Sequence, residues 1–160
     1  KGKFFLASHK FINGNENALI EYIADNPDSS FHFEAYRQMV YHYANTEQRE
    51  QELTTYSEML SIFPDDPSAL NSYAWRMAEI ETNLEDALEK VRKAVVLTAD
   101  YPNRQAGIID TEAEVLWKMG RFDEAIEAIE RAISIEPDNP YYNDQKEKFI
   151  ESRKTASQSA

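Results

Sequence analysis

The 160 residues include 42% hydrophobic residues, only 4 glycines and 6 prolines, and no cysteine, which suits one domain burying roughly 70% of the surface of its unfolded chain and excludes both a disulfide framework and a thiol nucleophile. A formal charge of -12 repels phosphate backbones and anionic bilayers, so nucleic acid is excluded as a partner. No apolar run approaches the roughly 20 residues that insert across a membrane.

In chain order, Phe4 to Phe11 and Asn17 to Asp25 read as two short helices ending near Pro27, a degenerate pair within 1–30. The segment 31–65 reads as a second pair: Tyr36, Met39, Val40 and Tyr43 share one helical face, Leu53, Tyr56, Met59, Leu60 and Ile62 share another, and Pro64 closes the second helix. In 66–101, Asp66 is placed to cap a helix opening at Pro67 and carrying Leu70, Tyr73, Ala74 and Met77. Its partner carries Leu84, Ala87, Leu88, Val91, Ala94, Val95 and Leu97, with Asn83 and Asp86 spaced as a capping arrangement.

That second set recurs 38 residues later as Phe122, Ala125, Ile126, Ile129, Ala132, Ile133 and Ile135, with every apolar position matched. Ile109, Glu112, Ala113 and Leu116 precede it on the first helix of a pair over 102–138, with the permissive Gly120 between the two helices and Pro137 after them. Asn139 and Pro140 then open a capping helix over 139–153, packed through Tyr142, Phe149 and Ile150, and 154–160 is expected to fray. A helix pair repeated at this period cannot cover its own apolar face; stacking covers it.

The run Gly120, Arg121, Phe122, Asp123, Glu124, Ala125, with Ala113, Ala132 and Pro137, resembles a tetratricopeptide (TPR) repeat, and the middle pair matches through Ala74, Ala87 and Ala94. The resemblance covers about 105 residues, Phe33 to Pro137. It implies an all-α fold: a right-handed superhelical stack of antiparallel helix pairs ending in a capping helix. Departures are visible too. Glu52 and Met59 replace alanines, Glu112 stands where the family usually has leucine, and Asp100 to Gln105 makes a long linker.

The resemblance also implies that the first helix of each pair lines a concave groove for a protein or peptide partner, presenting Arg37, Tyr41, Asn71, Trp75, Asp110, Glu114 and Trp117. Aromatic side chains there are suited to anchoring a partner. Trp75 and Trp117 have the alternative of packing beneath a neighbouring helix. Asp110 and Glu114 repel a carboxylate, so a cationic or amide-rich peptide suits this surface better than an acidic tail.

Neither a metal site nor a cofactor is expected, because His9, His32 and His42 form no pair at i, i+4. No catalytic residue is expected either. The carboxylates of Asp86, Glu89 and Glu127 precede Lys90, Lys93 and Arg131 by four residues, the order of a solvated helix face. Tyr141 and Tyr142 either seal the stack or expose a patch for self-association.

The leading expectation is thus a non-enzymatic interaction scaffold. The alternatives are an accessory repeat domain of a longer multidomain protein, for example beside a thioredoxin-like enzyme domain upstream of Lys1, and a self-assembling structural unit. General resemblance leans toward a bacterial extracytoplasmic setting, with the cytoplasm left open.

Overall fold

The computed structural model describes residues 1–158. Among them it contains nine helices and no strand. The chain divides into two compact units, Lys1–Phe63 and Pro64–Ala160.

The first unit holds α1 (Gly2–Ile12), α2 (Ala18–Asp25), α3 (His32–Asn45) and α4 (Arg49–Ile62). Helices α1 and α2 form one antiparallel pair and α3 and α4 another. Phe4, Phe11, Leu19, Tyr22, Met39 and Tyr43 form much of the core. Phe4 stacks on Phe31 at 4.8 Å and meets Tyr22 edge-on at 5.6 Å, an offset and T-shaped arrangement that suits the ring quadrupoles. Glu52 and Met59, which replace the small residues of the other pairs, are both 1% exposed. Glu52 is accommodated by Arg49 at 2.6 Å.

The second unit holds α5 (Pro67–Glu79), α6 (Leu84–Leu97), α7 (Pro102–Lys118), α8 (Phe122–Ile135) and α9 (Pro140–Gln158). Here α5 pairs with α6 and α7 with α8, while α7 also packs on both helices of the preceding pair and α9 packs on α8. Ala74, Ala87, Ala94, Ala113, Ala125 and Ala132 are all fully buried. Small side chains at these crossings let the helix backbones close on one another while Leu70, Met77, Leu116 and Ile129 fill the space around them.

The turn inside each of the four pairs is built the same way. One backbone N–H reaches back five residues and the N–H before it reaches back three: Asn15 to Lys10 and Gly14 to Phe11, Gln48 to Tyr43 and Glu47 to Ala44, Thr82 to Met77 and Glu81 to Ala78, Arg121 to Leu116 and Gly120 to Trp117. This closure satisfies the last carbonyls of the first helix and requires a left-handed residue just past its end. Gly14 (φ 98°) and Gly120 (φ 74°) supply it without strain, whereas Glu47 (φ 57°) and Glu81 (φ 50°) adopt it as non-glycine residues. The N-terminal pair, whose side chains align poorly with the rest, therefore shares the turn geometry of the repeats.

Capping follows the sequence at Asp66, whose carboxylate accepts from the Ser68 and Ala69 N–H groups at 2.8 and 2.9 Å. It departs at Asn83, which takes a left-handed conformation (φ 50°) and makes no side-chain cap bond. The expected linker of Asp100 to Gln105 is shorter than its sequence suggested, because α7 already begins at Pro102. Gln105 Nε2 donates to the Val95 carbonyl at 2.9 Å and ties that first turn to α6.

At the other end α9 continues to Gln158, so residues 154–158, expected to fray, are helical. Arg153 pairs with Asp123 of α8 at 2.6 Å, and the Thr155 and Ser157 hydroxyls donate to carbonyls one turn back at 3.0 and 2.9 Å. Ser159 and Ala160, the remainder of that expected tail, lie outside the described residues.

Candidate functional site

All seven candidate residues lie on the first helix of a pair, spaced so that successive side chains on each helix return to one face. In the first unit, Tyr41 is 72% exposed on α3. Arg37, one turn earlier, projects from the same helix and is held by Glu34 through two 2.8 Å hydrogen bonds. The guanidinium bonds hold the Glu34 carboxyl below its usual range despite the opposing effect of burial.

In the second unit α5 contributes Asn71 and Trp75. Trp75 is 37% exposed. Asn71 is half-buried, and its Oδ1 is shielded from solvent with no hydrogen-bond donor. An amide oxygen in that state has lost its water without a replacement, at a penalty of about 1–3 kcal/mol.

The three candidates on α7 are brought together with α9. The Lys148 ammonium lies 2.7 Å from Glu114 and 4.3 Å above the Trp117 ring, whose Nε1–H donates to Ser152 Oγ at 2.9 Å. Phe149, fully buried, packs against Trp117 with ring centroids 6.0 Å apart. Trp117 thus packs beneath a neighbouring helix, the alternative already open to it in sequence.

Asp110, 8% exposed, accepts a hydrogen bond from the Tyr141 hydroxyl. Burial pushes its carboxyl up to about 6, and the nearby Glu114 charge adds to the rise while the Tyr141 hydrogen bond and Lys148 oppose it. Burial likewise raises Tyr141 to about 12, reinforced by the Asp110 charge. Tyr142, next to it, is buried.

On its inner side α7 carries a second buried carboxylate. Glu112, 4% exposed, meets Arg92 of α6 at 2.9 Å and Arg131 of α8 at 2.5 Å. A residue that looked out of place in a leucine position is therefore an ionic clamp across three helices. The clamp also explains why the expected pair of Glu127 with Arg131 does not form. Lys93 similarly bypasses Glu89 for Asp65 at 2.6 Å, whereas Asp86 and Lys90 pair as expected at 2.8 Å.

Sequence reasoning named the α7 residues as candidates but missed Lys148 and Ser152 as their contacts. Tyr141, Lys148 and Ser152 fall on one stripe of α9 at i, i+7 and i+11, a signal that only becomes meaningful once α9 is known to lie along α7. Among the described residues there is no group of three or more His, Asp or Glu placed to hold a metal, and no helix long and apolar enough to cross a membrane.

Comparison with known proteins agrees with the helical-repeat fold. The tetratricopeptide repeat model matches residues 107–139, which take in α7 from Gly107 onward, all of α8 and the turn after it. No curated protein sequence matches the chain. A crystal structure of PilW, described as a widely conserved type IV pilus biogenesis factor, superposes with a TM-score of 0.65 at 15% identity, over 98% of this chain and 76% of that one. That likeness is one of fold. With the repeated turn geometry and the buried alanine crossings, it makes this chain a TPR-like, all-α helical-repeat protein.

Proposed function

We propose that this chain is a binding module without catalytic chemistry of its own, and that the outward faces of its first helices hold a donor-rich segment of a partner protein. A helical-repeat scaffold of this kind is suited to protein or peptide binding in general. The finer reading rests on one observation: the α7 face already holds a cation, Lys148, between the Glu114 carboxylate and the Trp117 ring. An ammonium over an indole face gains about 0.5–2 kcal/mol beyond the ion pair, which makes this pairing selective for lysine or arginine.

The equivalent face of α5 shares only the aromatic part of that chemistry, with Asn71 and Trp75 standing where α7 has Asp110 and Glu114. Trp75 offers a partly exposed ring. In the first unit Tyr41 offers a further exposed aromatic. A segment bearing lysine or arginine would place its cation over the exposed Trp75 or Tyr41 ring.

The test uses the immobilised protein beside separate Tyr41→Ala and Trp75→Ala variants, with native lysate passed over all three and circular dichroism as the folding control. A protein retained by the parent and lost with Trp75→Ala supports the reading, and loss with Tyr41→Ala extends it to the first unit. Equal retention by all three removes these faces from the argument.

A further inference from the structure

A second recognition surface lies on the opposite side of α3 from Arg37 and Tyr41. Met39 and Tyr43 project from α3 about half a turn of the wheel away from those two residues. They floor a cleft of about 350 Å³ between α2 and α4, with Thr55 of α4 completing the floor and Ile20 of α2, 47% exposed, forming one wall. Its rim is acidic, formed by Glu50 and Glu58 of α4.

Three features make this cleft more than a gap between helices. Its floor is already desolvated, since Met39 is 2% exposed and Tyr43 and Thr55 are each 4% exposed. The Thr55 hydroxyl is committed to the Gln51 carbonyl at 2.7 Å and offers the cleft no donor. No basic side chain lines it. The nearest in sequence are engaged elsewhere, His42 with Glu16 at 3.5 Å and Arg49 with Glu52 at 2.6 Å, and among the described residues no cation pairs with Glu50 or Glu58.

The charge and the shape together specify an occupant. Glu50 and Glu58 stand eight residues apart on one face of α4, a separation of about 12 Å along the helix. An extended peptide spans about 13 Å between residues four apart. We infer that the α2–α4 cleft docks a basic segment of a partner protein, in which one aliphatic side chain enters between Ile20 and Met39 and lysines or arginines two residues to either side meet Glu50 and Glu58. This surface is independent of the Trp75 face.

The test is the binding of a labelled Lys-Ala-Leu-Ala-Lys peptide to the whole chain, followed by fluorescence anisotropy, with Glu-Ala-Leu-Ala-Glu as the control. Glu50 and Glu58 are exposed and outside the core, so Glu50→Gln/Glu58→Gln is expected to fold as the parent does. The basic peptide should bind and the acidic one should not. The double variant should weaken binding at least tenfold, added salt should weaken it further, and Ile20→Lys should abolish it while Trp75→Ala leaves it unchanged. Absence of binding, binding that survives the double variant, or loss with Trp75→Ala would each overturn the assignment. A chain that instead self-associates through Glu50 and Glu58 in sedimentation, without binding the peptide, would replace the partner segment with a second copy.

Discussion

Glu114 of α7 and Lys148 of α9 are joined by a 2.7 Å ion pair in which the carboxylate is 14% and the ammonium 35% exposed at the side chain. That places the pair between the solvated bridges that contribute little and the buried ones whose rupture is severe. Lys148→Met keeps the aliphatic stem over Trp117 while removing the charge. It should lower stability by about 1–2 kcal/mol in urea unfolding and shift the Trp117 emission. An unchanged midpoint would mean that water serves Glu114 as well as Lys148 does.

Asp110 sets a pH dependence of unusual sign for a carboxylate. Because burial raises its folded value to about 6, from an ordinary 3.8, the folded state holds the extra proton between roughly pH 4 and 6. Stability from this group is therefore present below that window and lost as pH rises through it. Asp110→Asn retains an acceptor for Tyr141 without the charge. Its stability relative to the parent should improve by on the order of 2 kcal/mol between pH 4 and pH 7. Glu34, Asp86 and Glu124, all held below their usual range, act with the opposite sign, and taking the difference between the two proteins cancels them. A difference independent of pH would contradict the assignment.

The Glu112 clamp separates charge from volume. Glu112→Gln preserves the shape but gives up two charge-assisted hydrogen bonds to Arg92 and Arg131, and should destabilise by about 1–3 kcal/mol. Glu112→Leu exchanges the desolvated carboxylate for apolar packing, while both arginines are about half exposed and Arg92 keeps Glu124 at 3.7 Å. It should fall within about 1.5 kcal/mol of the parent. Chemical denaturation of both variants decides whether the clamp acts through its charge, and leucine faring worse than glutamine would count against that.

The left-handed Glu47 carries strain that glycine would relieve. A non-glycine residue in this conformation is penalised by about 1–2 kcal/mol, partly offset by the larger chain entropy glycine loses on folding. Glu47→Gly should raise stability by about 0.5–1 kcal/mol in thermal or urea unfolding. The same change at Glu81 should gain less, because it also removes the 2.9 Å pair with Lys118. Equal or opposite effects at the two sites would show that the turn tolerates glutamate without strain.

Helix existence and pairing were legible in the residues alone, because an amphipathic helix writes its buried face at a 3.6-residue period and the chain repeats that face: Ala87, Val91 and Ala94 return as Ala125, Ile129 and Ala132, and all six are buried. The Asp66 cap was legible for a similar reason, since a capping side chain and the N–H groups it serves are neighbours in sequence. The turns were only half legible. Gly120 announces a left-handed residue, but nothing in the identity of Glu47 or Glu81 does, and the surrounding helix pair imposes that conformation on them. The charged contacts were least legible. Arg131 leaves Glu127 for Glu112, and Lys148 crosses from α9 to Glu114, because a partly desolvated carboxylate attracts a cation more strongly than an exposed one does. Local spacing along one helix thus specified which segments coil and which face each buries. Which helix lies over which, and so which charges meet and which aromatic faces stay open, followed from long-range packing that no local period encodes.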